Sequence, residues 1–492
     1  MSALVRAAAL YMIVAALVSG CGDGAGGSDS VLGDSGSGSD SVLGDSDSGS
    51  GSDSMLGDSG SDSVLADSVL ADSDSVSPPG PRLHAAVAVP GHLVAVRVDV
   101  DDPTLASALV DGHVVRLHRG RGVLTVMPED APSLPTRALG AGDLELSGER
   151  VVAAGDTLTI PAGARVVLAP DARLVVHGAL VVTGTAESPV LFTAADPARP
   201  WAAIDVRPGG RAELDHAWLV RGGADHDRFG GHSGSDPFLA AVDATLVMRG
   251  GGIVDGPGKA FYTEDADVTL AGLTIARTDT GGEHVGSRTT LTDAWIVEIP
   301  DADGRFDDDD NDALYLRLGT HTIEDVVLSL GEDDGIDHNG ADLTARRVWI
   351  DGFRHEGVAT SDQGTVVLED LVVRACDQGV EAGYGAPDVT VRRAWITACG
   401  VGLRWGDDYT WEAKGRLAVS HTIALFNDTN VRTDDPQQGE APDGAVSIGC
   451  SAVDTARWDG QAGNVAGAPP ADGLCPPPMT ACEIPLGPTT CP

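Results

Sequence analysis

The chain has 492 residues and a formal net charge of −42, which disfavours nucleic acid and anionic lipid surfaces as partners. Aromatic residues make up 4% and glycines number 64, a composition suited to many short strands joined by tight turns, not to helices. The length exceeds one ordinary domain, yet a solenoid grows by adding coils, so no second core is required.

Residues 1–21 read as a targeting segment. Arg6 precedes the apolar run Ala7–Val18, which leads into Val18-Ser19-Gly20-Cys21. This resembles a bacterial lipoprotein signal with its lipobox, which implies cleavage before Cys21 and lipidation of that thiol. Gly22 and Asp23 follow, so no acidic residue stands directly after Cys21. By analogy with lipoprotein sorting, the expected location is the cell envelope, anchored by lipid to the outer membrane. Residues 22–80 repeat Asp-Ser-Val-Leu-Gly-Asp-Ser between Gly-Ser spacers, with twelve Asp and no Lys or Arg. Too little of this stretch is apolar to form a core, and it reads as a disordered tether.

Residues 84–140 read as a small β-domain built from short alternating runs such as Leu93–Val98, with a helical turn near Pro103–Leu109. From residue 150 to 432 short aliphatic strands alternate with Gly- or Asn-containing turns, and a motif returns at a fixed interval. It reads Asn311-Asp312-Ala313-Leu314, Asp333-Asp334-Gly335-Ile336, His355-Glu356-Gly357-Val358, Asp377-Gln378-Gly379-Val380 and Gly400-Val401-Gly402-Leu403. A period in the low twenties marks a solenoid, in which each coil buries its apolar face on the next. Equal positions should then stack about 4.8 Å apart. Asn311, Asp333, His355 and Asp377 would form one column, with Asp312, Asp334, Glu356 and Gln378 beside it. A column of carboxylates is costly unless a cation, a proton or open water relieves it. Residues 433–492 read as a Pro-rich, Cys-containing tail. Cys376 and Cys399 fall one period apart, where a disulfide and two stacked free thiols fit equally well.

The stretch from Gly155 through Phe192, with Gly155-Asp156-Thr157-Leu158-Thr159-Ile160 at its start, closely resembles the first coils of the pectate-lyase-like superfamily. That resemblance implies an all-β chain: a right-handed parallel β-helix (solenoid) with a small N-terminal β-domain. Asn311-Asp312, Asp333-Asp334 and His355, on successive coils, are similar to the Asn-x-Asp, Asp-Asp and His positions of polygalacturonase-type glycoside hydrolases. The similarity implies catalytic roles for Asp312, Asp333, Asp334 and His355. It departs at the histidine, flanked here by Arg354 and Glu356. It departs again downstream, where the family's Arg-x-Lys falls on Glu381 and Gly383 and only Arg404 is a nearby cation.

Asp337, His338, Glu356, Glu381, Arg404 and Trp349 are the candidate substrate-binding residues. Trp349 belongs to a set with Trp218, Trp295 and Trp395 whose spacing suits either a sugar-stacking platform or packing under a loop. Asp307, Asp308 and Asp310 lie in an acidic loop of the kind that suits Ca²⁺, although no cofactor is required. Three readings of the acidic column stay open: ordinary solvated turn residues, a glycan-cleaving site, or a Ca²⁺ site without catalysis. The expected partner is a polysaccharide or cell-surface glycan, with no nucleic acid and with membrane contact only through Cys21. The alternative is a non-catalytic surface or adhesion scaffold, stabilised by Ca²⁺.

Overall fold

The structure, a computed structural model, describes the strands between 85 and 127. It also describes residues 143–225, 231–299, 310–407 and 413–453, with 457, 458 and 464. Cys21, Asp307 and Asp308 lie outside the described residues, as does the tether.

The N-terminal strands Ala85–Val89, His92–Val98, Leu105–Val110, His113–Gly120 and Val123–Met127 pair antiparallel in chain order. The helical turn expected near Pro103–Leu109 is instead a strand: Leu105–Val110 hydrogen-bonds to neighbours on both sides. Two flanking strands offering backbone partners outweigh a weak local preference.

From Leu144 onward the chain is a parallel β-helix, and the described residues contain no helix. Two long parallel sheets run its length. One, the site sheet, has twelve strands in strict chain order, from Glu149–Val152 to Thr429–Arg432. At one strand spacing per coil it spans about 50 Å. The other, the wall sheet, has eighteen strands, because several coils cross it on two strands, as Thr157–Pro161 and Arg165–Leu168 do, while others cross on one long bent strand such as Thr320–Gly331 or Asp342–Phe353. The coils continue beyond residue 432, where the sequence suggests the tail begins. Val446–Gly449 and Ala452–Val453 add two more parallel pairings, and buried Val446, Ile448 and Val453 supply their apolar face.

Alternation explains the core. In the site sheet Leu174, Ile204, Leu239 and Phe261 stack in register, as do Leu314, Ile336, Val358, Val380, Leu403 and Val431. All are buried in one continuous cluster. The small residues of the repeated motif have a steric cause. A Cβ on Gly335, Gly357 or Gly379 would come within 2.6, 2.7 or 2.4 Å of the carbonyl oxygen one coil further on.

Five long wall strands bend at equivalent residues in the left-handed region: Asp293, Asp325, Arg347, Asp370 and Arg393, with φ between 51° and 57°. These five stack at one corner. Arg347 Nε donates to Asp325 at 2.7 Å and Arg393 Nε to Asp370 at 2.6 Å. In the adjoining file Glu324, Arg346, Glu369 and Arg392 follow one another, and Arg346 Nη2 donates to Glu369 at 2.7 Å.

Two polar groups of note lie inside the coil. His284 Nδ1 shares a hydrogen bond with Thr263 Oγ1 at 2.7 Å, and His321 Nε2 one with the Leu318 carbonyl at 2.7 Å. Their rings lie 6.3 Å apart. Burial, reinforced by the other imidazole, lowers His284 to about 3, and burial lowers His321 to about 4, so both are neutral. Cys376 and Cys399 are free thiols, each buried, which settles the choice the sequence left open. Cys450 is disulfide-bonded.

Candidate functional site

The acidic residues gather at the N-terminal ends of four successive site-sheet strands, Tyr315–Arg317, Ile336–Asn339, Glu356–Ser361 and Gln378–Ala382. Asp312, Asp334, Glu356 and Gln378 form a file. The Asp334 amide donates to Asp312 Oδ1 at 3.3 Å, and the Glu356 amide to Asp334 Oδ1 at 2.6 Å. Gln378 Nε2 then donates to Glu356 Oε1, and Arg404 Nη1 to Gln378 Oε1. Carboxylates thus replace backbone carbonyls as acceptors where adjacent coils meet.

His355 closes this file on its solvent side. Its Nδ1 lies 2.6 Å from Glu356 Oε2, 3.2 Å from Asp333 Oδ1 and 3.7 Å from Asp334 Oδ1. Hydrogen bonds to Asp333 and Glu356 raise it to about 11, so it is an imidazolium at neutral pH. The carboxyls around it are pushed upward. Burial, then Glu356 and Asp333, holds Asp334 well above the carboxylate range. Burial, then Asp337 and Asp333, does the same to Asp312. Asp333 is raised by burial but drawn back by His355. Asp337 is raised to about 8, by burial first and by Asp333 and Glu356 next. The strip therefore sets carboxyls raised to different degrees side by side, with Asp333 drawn back by an imidazolium, the kind of division that acid–base work uses.

A residue from far away in the chain completes it. His232, on the loop before Pro237–Val242, stacks flat on Tyr315 with ring centroids 4.1 Å apart. Its Nε2 lies 3.5 Å from Asp337 Oδ2, 3.7 Å from Asp312 Oδ2 and 4.0 Å from Asp310 Oδ1. Its backbone amide donates to Glu283 Oε1 at 3.0 Å, and Glu283 in turn holds buried Lys259 at 2.5 Å. Nothing in the repeat signals His232, because it sits in an insertion outside the period. Two groups could hold an ion: His232–Asp312–Asp337 and Asp333–Asp334–His355.

Several candidates stand elsewhere than expected. His338 points inward with Ile336, is 0% exposed, and spends Nε2 on the Ala341 carbonyl at 2.6 Å. A core-facing imidazole is out of reach of a ligand in solvent, so its assignment to substrate binding is corrected. Trp349 lies on the wall sheet and is 1% exposed, so its ring is covered and offers no stacking platform. Glu356, Glu381 and Arg404 are buried as well. Arg404 Nη1 lies 3.2 Å from Glu381 Oε2, and these three brace the site sheet beneath the strip instead of presenting themselves to a ligand. Asp333, Asp337 and His355 remain at its surface. Asp310 is the described member of the acidic-loop trio, with a side chain 68% exposed.

No family model matches the chain, and no curated protein matches it. Among solved structures it is similar to an alginate lyase from Paenibacillus sp. str. FPU-7, at 13% identity over 55% of this chain and 91% of that one, with a TM-score of 0.25. It is similar to a GH87 α-1,3-glucanase catalytic domain in complex with nigerose, at 11% identity over 65% of this chain and 64% of that one, TM-score 0.29. The GH87 α-1,3-glucanase catalytic unit of Streptomyces thermodiastaticus strain HF3-3 shares 11% identity over 78% and 88%, TM-score 0.31. At such values these likenesses assign no activity, and the architecture stands on the strand order itself. The fold and site define an all-β solenoid with a carboxylate-rich strip on one sheet.

Proposed function

We propose that the chain engages an extracellular polysaccharide on the site-sheet strip and hydrolyses it by carboxylate acid–base chemistry. One observation carries the reading: Asp333 and Asp334 are adjacent carboxyls, both raised by burial, and His355 offsets that rise at Asp333. Burial and the neighbouring acids favour the protonated form of Asp334, whose side chain keeps 6% of its surface exposed on the solvent side of the file, as a general acid needs. Burial raises Asp333 too, but the His355 imidazolium against it offsets part of that rise, which suits it better than Asp334 to the role of base or nucleophile. Asp312 flanks the pair one coil away and holds the Asp334 backbone in place. The strip is acidic, which suits a neutral glycan better than an anionic one.

The test is a glycan panel assayed with wild type and Asp334→Asn, alongside their melting points. Asparagine keeps an oxygen to accept the Glu356 amide and removes the proton donor. The reading expects cleavage to vanish while the melting point holds or rises, as when a strained site is relieved. A lower melting point with unchanged glycan behaviour overturns it. That outcome favours the scaffold alternative, which draws support from the inter-coil hydrogen bonds that Asp312 and Asp334 accept. Ca²⁺ at Asp307, Asp308 and Asp310 belongs to that alternative.

We also propose that Cys21 carries the lipid that anchors the chain to the outer membrane. Detergent-phase partitioning that survives Cys21→Ala refutes the anchor.

A further inference from the structure

We propose that His232, Asp312 and Asp337 form a binding site for a divalent transition-metal ion of the Zn²⁺, Co²⁺ or Mn²⁺ kind. The inference goes beyond the glycan reading and does not rest on it.

Three segments of the chain deliver one donor atom each. His232 Nε2 comes from the loop before Pro237–Val242, Asp312 Oδ2 from the segment before Tyr315–Arg317, and Asp337 Oδ2 from Ile336–Asn339. The nitrogen stands 3.7 and 3.5 Å from the two oxygens, beyond the roughly 2.7–3.2 Å of an N–H···O hydrogen bond. Two ligands each about 2.1 Å from a shared ion at a tetrahedral angle are about 3.4 Å apart. The donors are thus spaced for an ion between them and not for each other.

A second observation points the same way. Asp312 is 0% exposed, and its Oδ2 has no hydrogen-bond partner. A buried polar atom left unsatisfied costs about 1–3 kcal/mol, and this one is aimed at the gap between His232 and Asp337. The neighbouring group behaves differently. His355 already sits 2.6 Å from Glu356 and 3.2 Å from Asp333, so its donors satisfy one another.

The support around His232 is of the kind that orients a metal ligand. Tyr315 fixes the ring plane by stacking, and Glu283 fixes the main chain. Two carboxylates balance the charge of a divalent ion. An imidazole in the set disfavours Ca²⁺, which takes oxygen ligands, and favours transition metals. His232 and Asp337 are partly exposed, so a fourth ligand can come from solvent. Exposed Asp310, 4.0 Å from His232 Nε2, flanks that open side.

The experiment uses the full chain without a polyhistidine tag, stripped with chelator and dialysed. Calorimetric titration with ZnCl₂, MnCl₂ and CaCl₂ reads affinity, and the visible absorption of the Co²⁺ form reads geometry. One transition-metal site is expected, with the intense Co²⁺ bands of low coordination number. His232→Ala and Asp337→Asn should each weaken it at least tenfold while leaving circular dichroism unchanged. Both residues are partly exposed, so neither change empties the core. Absent Zn²⁺, Mn²⁺ and Co²⁺ binding overturns the proposal, as does binding that both variants keep. Ca²⁺ binding tighter than Zn²⁺ and indifferent to His232→Ala overturns it too, by reducing the group to an ordinary acidic patch. None of these readouts involves a glycan, so failure here is separate from failure of the proposed hydrolysis.

Discussion

His284 makes the coil interior sensitive to acid, and its removal should abolish a defined part of that sensitivity. Its imidazole is held at about 3 in the folded chain against 6.5 in an unfolded one. A depressed value means that the stabilisation is fully present above 6.5 and is lost as pH falls toward 3, because only the unfolded chain binds the proton in that window. At pH 4.5 the difference covers about two units, or on the order of 2–3 kcal/mol. His284→Leu removes this group. Leucine suits the position, since Leu316 occupies it one coil further on, and the change deletes an Nε2 that has no hydrogen-bond partner. Urea unfolding at pH 7.5, 6.0 and 4.5 should show the variant within about 1 kcal/mol of wild type at pH 7.5. It should then gain about 2 kcal/mol relative to wild type by pH 4.5, from the linkage above. Stability lost in parallel by both proteins across this range would refute the claim that His284 stays neutral inside the fold.

Gly357→Ala should cost about 2 kcal/mol or more in urea unfolding, because its Cβ would stand 2.3 Å from Val373 Cγ1 and 2.7 Å from the Gly379 carbonyl. Phe426→Gly should raise stability by about 1 kcal/mol, since Phe426 is 65% exposed and held at φ 61°; a lower melting point would show that its ring packs after all. Asp334→Asn should keep or raise the melting point while removing glycan cleavage, as set out above.

The coil stack was legible in the sequence because a solenoid repeats its contacts. Ala313, Gly335, Gly357, Gly379 and Gly402 mark places where the next coil's backbone leaves little room for a side chain, and such constraints recur with the period. The same arithmetic placed Asp312 beside Asp334 and Asp334 beside Glu356. It could not find His232, since insertions obey no period and the loop's approach to Tyr315 is a tertiary matter. Nor could alternation judge Trp349. It tells which side of a strand a ring faces, not what lies over that side. Glu356, Glu381 and Arg404 were misjudged for a related reason: charged side chains read as surface residues until a partner one or two coils away buries them.

The charged corner of the wall sheet has a consequence for how the chain finds its order. Successive coils there carry Glu324 and Asp325, then Arg346 and Arg347, then Glu369 and Asp370, then Arg392 and Arg393. Stacked in turn, these four coils meet one another with opposite charge. If one coil were looped out and its neighbours closed over the gap, Arg346 and Arg347 would land on Arg392 and Arg393, or Glu324 and Asp325 on Glu369 and Asp370. Nearly identical apolar faces offer little protection against that error, because any coil can cap any other. The alternating signs supply it: they act as a parity check along the axis, penalising the omission of a single coil through like-charge contact.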